Sequence, residues 1–200
     1  MPGWARYASG VAVGFVRPAR PDDAGEIARI QLATWRVAYR RVLPKHVLDE
    51  IDEAFLALRW TDAVTAPPTG RHRVLVAVEQ NAVEQAVQEY VVGFAASGPF
   101  DDGALAADED HTPERENVAA VTDMLVEPRW GRRGHGSRLL AASVDLWRGD
   151  GFDSAVCWAF DADAATRKFL TSAGWAPDGA TRALDVDDLL VPQLRLHTTL

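Results

Sequence analysis

Apolar and polar positions follow two periods along the chain, and the switches between them mark out its elements. Residues 14–17 form a short β-like run that Pro18 and Pro21 interrupt. Asp22 or Asp23 then opens a helix, with Glu26 three residues after Asp23 in the manner of a capping box. Ile27, Ile30, Thr34, Val37 and Ala38 fall at helical spacing and predict one buried face, and Pro44 ends the helix. A second helix is predicted over residues 46–64, with Leu48, Ile51, Phe55, Leu58 and Trp60 as its buried positions. Pro67, Pro68 and Gly70 break the chain. β-Branched runs at residues 74–78 and 90–96 predict neighbouring strands, with the polar segment 79–89 as a long hairpin loop between them. Residues 101–116 carry seven acids, Arg115 as their only base, and Pro113, which predicts a solvated and mobile surface loop.

Regular patterning resumes with a strand over residues 117–126 and a glycine- and arginine-rich loop over 128–136. A helix over 139–148 places Leu140, Ser143, Val144 and Trp147 on one face. A strand at 155–160 and a helix at 164–173 follow, the helix closed by Gly174. Two weaker strands are predicted near residues 182–186 and 193–199. Helices separate some strands while others run consecutively, which points to a single α/β (α+β) domain around a mixed sheet. Residues 1–12 read as an N-terminal extension and residues 13–200 as the domain.

Composition narrows the function classes. A chain of 200 residues with 48% hydrophobic content can fill a substantial core. The formal charge of −8, from 29 acids against 21 bases, argues against a general nucleic-acid binder. Cys157 is the only cysteine, which excludes an internal disulfide and a cysteine-based zinc site. The histidines, His46, His72, His111, His135 and His197, show no ligand spacing, so no metal is expected. No apolar run approaches the ~20 residues of a membrane span, and residues 1–20 lack a long secretory core, so a cytoplasmic protein is expected. Arginine strongly outnumbers lysine, which occurs only at Lys45 and Lys168.

Chemistry concentrates in residues 123–140, Asp-Met-Leu-Val-Glu-Pro-Arg-Trp-Gly-Arg-Arg-Gly-His-Gly-Ser-Arg-Leu-Leu. A strand runs into a glycine-rich loop and then a helix start. A helix N-terminus presents unpaired N–H groups and partial positive charge, and glycines let an oxyanion approach the backbone. Arg129, Arg132, Arg133 and Arg138 crowd counter-charge into the same stretch. The pattern predicts a local phosphate site inside an acidic protein. It lacks the lysine of a P-loop, and its glycine order, G-x-x-G-x-G, is not that of a dinucleotide fingerprint.

The same residues resemble the acetyl-CoA-binding motif of the GCN5-related N-acetyltransferase (GNAT) superfamily. Val126, Pro128, Gly134, Gly136, Leu139 and Leu140 match that motif in order and spacing. Residues 28–44, A-R-I-Q-L-A-T-W-R-V-A-Y-R-R-V-L-P, are similar to the first helix of many bacterial members. Residues 163–175, with Phe169, Gly174 and Trp175, and the turn at 177–182 resemble later family segments. The resemblance implies a mixed, mostly antiparallel twisted sheet of about seven strands flanked by about four helices. It implies acyl transfer from acetyl-CoA by direct attack of a primary amine, on a small molecule or a peptide. Met124, Leu125 and Val126 would face the pantetheine arm, and Arg132, Arg133, Gly134, His135, Gly136 and Ser137 the pyrophosphate. Asp163, near the end of the following strand, joins the cofactor-side residues. Family members often dimerise, so a homodimer is admitted without an identified interface.

Two positions depart from the family pattern. Gly131 occupies the usual glutamine or arginine position, and Arg132 replaces the glycine that follows it. Leu170 stands where the family often has a tyrosine that protonates the leaving thiolate. Asp123, beside the expected thioester position, is the candidate general base; the alternative is that it points away and caps a turn. Asp163 is a second candidate for that role, and His135 a third that more simply contributes a backbone N–H. Trp35 and Tyr39 lie one turn apart and form either an aromatic wall for the acceptor amine or part of the core. Trp147, Trp158 and Trp175 are assigned to packing, and Cys157 to an inert position in an apolar strand. The acidic loop would attract a cationic acceptor. Two other readings remain: a catalytically silent acyl-CoA-binding regulator on the same fold, and a nucleotide-binding protein of unrelated fold.

Overall fold

Strong β-formers at residues 74–78 and 90–96 face helices on both sides, and the sheet grows from them. The computed structural model describes residues 13–83, 86–106, 109–110 and 113–200; the extension assigned to residues 1–12 lies outside these. Their order is β1 (Val13–Pro18), α1 (Ala24–Ala38), α2 (Lys45–Glu50), α3 (Glu53–Thr65), β2 (Arg73–Val83), β3 (Ala86–Pro99), β4 (Val118–Val126), α4 (His135–Gly149), β5 (Ser154–Phe160), α5 (Ala164–Ser172), β6 (Ala176–Val186) and β7 (Leu189–Thr199). The strands form one seven-stranded sheet in the order β1-β2-β3-β4-β5-β7-β6. Pairing is antiparallel throughout except between β4 and β5. This is the mixed, mostly antiparallel sheet expected, with five α-helices rather than about four.

Strand alternation sorts the core between the two faces. Val76, Val78, Phe94 and Ala96 meet Ile27 and Ile30 of α1 and Trp60 of α3 on one side. Leu75, Ala77, Val92 and Ala95 meet Leu139 of α4 on the other. Around β5 and β7, Trp147, Phe152, Leu170, Trp175 and Leu196 make a third cluster. Trp147 is fully buried there, with its indole N–H donating to Ser97 Oγ at 2.9 Å.

Several local expectations are corrected. The helix predicted over 46–64 is two helices. Asp52 leaves the helical conformation and its carboxylate accepts the Ala54 N–H at 2.8 Å, which starts α3 anew. Phe55 and Leu58 consequently face solvent, 58% and 66% exposed, while Leu48 and Trp60 are buried. Val37 and Ala38 are also exposed, because α1 ends at Ala38 beyond the sheet it covers. Asp23 does not cap α1 through its side chain. Arg17 holds that carboxylate at 2.6 and 2.9 Å, and the Arg20 N–H donates to it. Residues 79–83 and 86–89 are strand rather than loop: β2 and β3 pair as far as Val83 and Ala86.

Among the described residues of the acidic segment, Glu109 is anchored. Glu109 accepts from Arg115 at 2.6 Å and from the buried Arg195 of β7 at 2.6 Å, and Arg195 also reaches Asp178 at 2.7 Å. No helix among the described residues is long and apolar enough to cross a membrane.

Candidate active site

The parallel pair is what opens the sheet. β4 and β5 pair only from Val118 with Ser154 to Val121 with Cys157. On its other side β4 stays paired with β3 out to Val126 opposite Gly93. Residues 122–126 therefore bond to one neighbour and present an open backbone edge toward β5. A bulge at Thr122, where Ala96 pairs with Asp123 and Ser97 with Val121, sharpens the bend at this point.

A cavity of 460 Å³ fills the opening. Asp123, Met124, Leu125 and Val126 form one wall, and Arg132, Gly134, His135, Gly136 and Ser137 form its end. Trp35, Tyr39, Phe169 and Leu170 close the far side. Of the residues assigned from the sequence to the cofactor, the base or the acceptor, Arg133 and Asp163 do not line this cavity. Asp163 instead caps α5, accepting from the Thr166 N–H at 3.0 Å and the Thr166 hydroxyl at 2.7 Å.

The end wall is the N-terminus of α4. Arg138 N–H bonds the Gly134 carbonyl at 3.0 Å, so the N–H groups of His135, Gly136 and Ser137 precede the first intrahelical bond. Gly134 has φ +80°, and Arg132 has φ +62° at the position where the family resemblance expects glycine. An arginine held in the left-handed region carries about 1 kcal/mol of backbone strain.

The four loop arginines have different fates. Arg129 pairs with Glu127 at 2.9 Å. Arg133 stacks over Trp130 and lies 4.0 Å from Glu79. Arg138 donates to the Arg133 carbonyl at 3.1 Å and lies 3.3 Å from His135 Nδ1. Only Arg132, among the four, lines the cavity. Because arginine can only donate, His135 Nδ1 is the acceptor and the ring proton sits on Nε2, 3.2 Å from buried Glu79. Burial, with the Arg138 charge, lowers the His135 pKa, and the Arg138 guanidinium lies at Nδ1. Glu127 also holds Arg29 of α1 through two bonds, 3.0 and 3.2 Å, tying the loop's root to the first helix.

Asp123 sits at the junction of the open edge. Gln31 Nε2 donates to it at 3.2 Å, and Gln31 Oε1 accepts the Trp60 indole N–H at 2.8 Å. An indole N–H can only donate, which fixes the Gln31 amide with its NH₂ toward the carboxylate. Burial pushes the Asp123 pKa up to about 7, with Gln31 and the Arg59 charge acting against it. Asp123 and Trp35 also line a second cavity, of 380 Å³, on the side of α3. The carboxylate thus belongs to the wall between two chambers.

The remaining polar groups are subdued. Burial, with the charges of Asp163 and Asp123, raises the Tyr39 pKa well beyond its ordinary value, so its hydroxyl keeps its proton. Burial pushes the Cys157 thiol up to about 12, so it is not a nucleophile at neutral pH. Among the described residues no group of three or more His, Cys, Asp or Glu is placed to hold a metal.

Gln31, Trp60, Glu79 and Glu127 are the site residues that sequence reading missed. Each acts on a partner far away in the chain or lies in a segment read as a loop, and no local pattern signals such a role. The observed parts fit coenzyme A: unpaired N–H groups at a helix start, side-chain-free Gly134 and Gly136, one cation facing the cavity, and an open strand edge.

A family model described as the acetyltransferase (GNAT) family matches residues 32–175. Among solved structures, the ribosomal-protein-alanine N-acetyltransferase from Brucella melitensis has 17% identity and a TM-score of 0.64, covering 93% of this chain and 99% of its own. A GCN5-related N-acetyltransferase from Kribbella flavida has 18% identity and a TM-score of 0.64, covering 94% and 98%. A Salmonella typhimurium protein solved with its cofactor acetyl-CoA has 16% identity and a TM-score of 0.60, covering 93% of each chain. No curated protein matches the sequence. These structures share the fold, while the family model spans most of the chain and the open strand edge, glycine loop and helix start it matches are in place: the chain belongs to the acetyltransferase (GNAT) family.

Proposed function

We propose that the protein is an N-acetyltransferase that moves an acetyl group from acetyl-CoA to a primary amine of a small molecule or peptide. The observation that carries this reading is the junction itself: an open β4 edge facing a bare helix N-terminus, with a half-buried carboxylate between them. Met124, Leu125 and Val126 would offer backbone groups to the pantetheine arm. The N–H groups of His135, Gly136 and Ser137, together with Arg132, would hold the pyrophosphate. Acetyl-CoA would supply the acyl group as a thioester whose carbonyl carbon the amine attacks directly.

Asp123 is the base in this reading. Near pH 7 about half of it is ionised, and it can take a proton from an ammonium directly or through water. Gln31 steadies the ionised form. Leu170 supplies no proton to the leaving sulfur, and Tyr39, which keeps its own, offers only hydrogen-bond donation from the same cavity. The observation favouring a second reading, an acyl-CoA-binding regulator without turnover, is that Leu170 is buried where an acid is expected.

The test is a calorimetric titration with acetyl-CoA followed by free-thiol release against a panel of amines. Binding with turnover is expected. Asp123→Asn should lower kcat by about 10²–10⁴-fold and remove the acidic limb of the kcat/KM profile near pH 7, with coenzyme affinity unchanged. Binding without turnover on any amine supports the regulator, and no binding removes both.

A further inference from the structure

We infer that the second cavity is the acceptor's chamber and that it selects amines carrying a carboxylate, which Arg59 receives. This rests on the acetyl-transfer reading above and adds to it the acceptor's side of entry and its chemical class.

The position comes first. Asp123 and Trp35 line both cavities, so the wall that separates them is also where they meet. The first cavity is bounded by the open β4 edge and the α4 N-terminus. The second lies behind Asp123, between α1, α3 and the end of β3, and touches neither the glycine loop nor the α4 start. An amine entering there reaches the carboxylate without crossing the coenzyme's path.

The chemistry of the chamber follows from where its charges go. Arg73 is committed to Asp150, with bonds of 2.9 and 2.6 Å. The His72 ring is held by the Thr69 hydroxyl at 2.9 Å. Asp101 accepts the N–H of Gly103 and is turned into its own loop. Asp123 is bonded by Gln31. Arg59, on the exposed face of α3 at the rim, has no hydrogen bond or ion pair among the described residues, yet its charge bears on Asp123.

A free guanidinium at the mouth repels an acceptor that is only cationic. It suits one that carries an anion at one end and an amine at the other. Guanidinium and carboxylate match as a bidentate pair, which fixes orientation as well as affinity. With the carboxylate on Arg59, the amine points inward toward Asp123 past the walls of Trp35 and Trp60. Within the acidic segment, Glu109 is engaged by Arg115 and Arg195 and Asp101 by its own backbone, so neither is a free anion facing the chamber.

The test compares amino acids of varied side chain with their amides, at saturating acetyl-CoA, for the wild type, Arg59→Ala and Arg59→Lys. The wild type should favour the best free acid over its amide by about tenfold in kcat/KM. Arg59→Ala should erase that preference through KM, with kcat within about twofold, and Arg59→Lys should recover part of it. Titration of the same amino acid onto protein saturated with coenzyme A should show the same Arg59 dependence without turnover. An amide that serves as well as its acid, or an Arg59→Ala loss equal for both, overturns the inference while leaving acetyl transfer standing. Absence of acetyl-CoA binding and of thiol release with every amine overturns the acetyl-transfer reading and the chamber with it.

Discussion

The glycine–arginine loop and the acidic loop carry opposite charges in the sequence, yet the structure treats them alike. In the first, three of the four arginines meet Glu79, Glu127 or the Arg133 carbonyl, and one, Arg132, faces the cavity. In the second, Glu109 is taken up by Arg115 and Arg195. In both loops, charges that the composition leaves free are drawn into contacts that hold the chain in place. The difference lies in depth. Arg195 is 3% exposed and anchors its partner from within the sheet, whereas Arg132 stands exposed on a strained backbone. A buried ion pair is structural because breaking it strands a charge, while an exposed cation on a cavity remains available to a ligand.

Four variants sharpen or break that contrast. The largest effect is expected from Arg195→Met, which removes the buried partner shared by Glu109 and Asp178 and leaves Glu109 with Arg115 alone. It should lower unfolding free energy by about 3–5 kcal/mol in denaturant titration, with coenzyme affinity in the folded protein little changed. A loss below about 1 kcal/mol would show that the acidic segment is not anchored there. Gly134→Glu places a bulky anion at a φ of +80° beside the α4 start. Calorimetry should show coenzyme A affinity down by about 100-fold, near 2.7 kcal/mol, with the circular dichroism spectrum retained. Unchanged affinity would take the loop out of the coenzyme site.

Glu109→Gln tests the acidic loop by pH. Arg195 holds the Glu109 carboxyl down to about 2, against an ordinary 4.5. The folded state thus binds fewer protons in that window, so the stabilisation is present above pH 4.5 and disappears as pH falls toward 2. After discounting for partial exposure, about 2 kcal/mol of acid sensitivity should vanish in the variant, measured as Tm against pH. An unchanged acid profile would assign the sensitivity elsewhere. Arg132→Gly is expected to be the mildest and to move two readouts in opposite directions. Relief of the left-handed strain should raise stability by about 0.5–1 kcal/mol, and loss of the cation should weaken coenzyme A about fivefold. If both readouts fall together, the side chain packs rather than binds.

Legibility in the sequence followed the range of the interactions. The α4 face with Leu140, Ser143 and Trp147 was readable because helical periodicity is local. So was the glycine loop, whose chemistry sits within a few consecutive residues. The break at Asp52 was readable in principle, since an aspartate before an apolar run is an N-cap signal, but the apolar spacing of Phe55 and Leu58 outweighed it. The 79–89 segment was not readable: its polar residues extend a hairpin whose register is set by the strands behind it. The Asp23–Glu26 box failed for a similar reason, because Arg17 on the neighbouring strand competed for the same carboxylate.

The amino-acid sequence alone determined the fold class, the phosphate-type loop before α4, the absence of a proton donor at Leu170 and the candidacy of Asp123. These depend on residue type, period and short spacing. Only the tertiary structure decided which arginine faces the cavity, how Trp60 and Gln31 orient the carboxylate, and that the carboxylate stands between two chambers. Those outcomes depend on which groups from distant segments meet, and on how far burial withdraws them from water. Pair distances and desolvation are properties of the packed chain, so no local pattern can encode them.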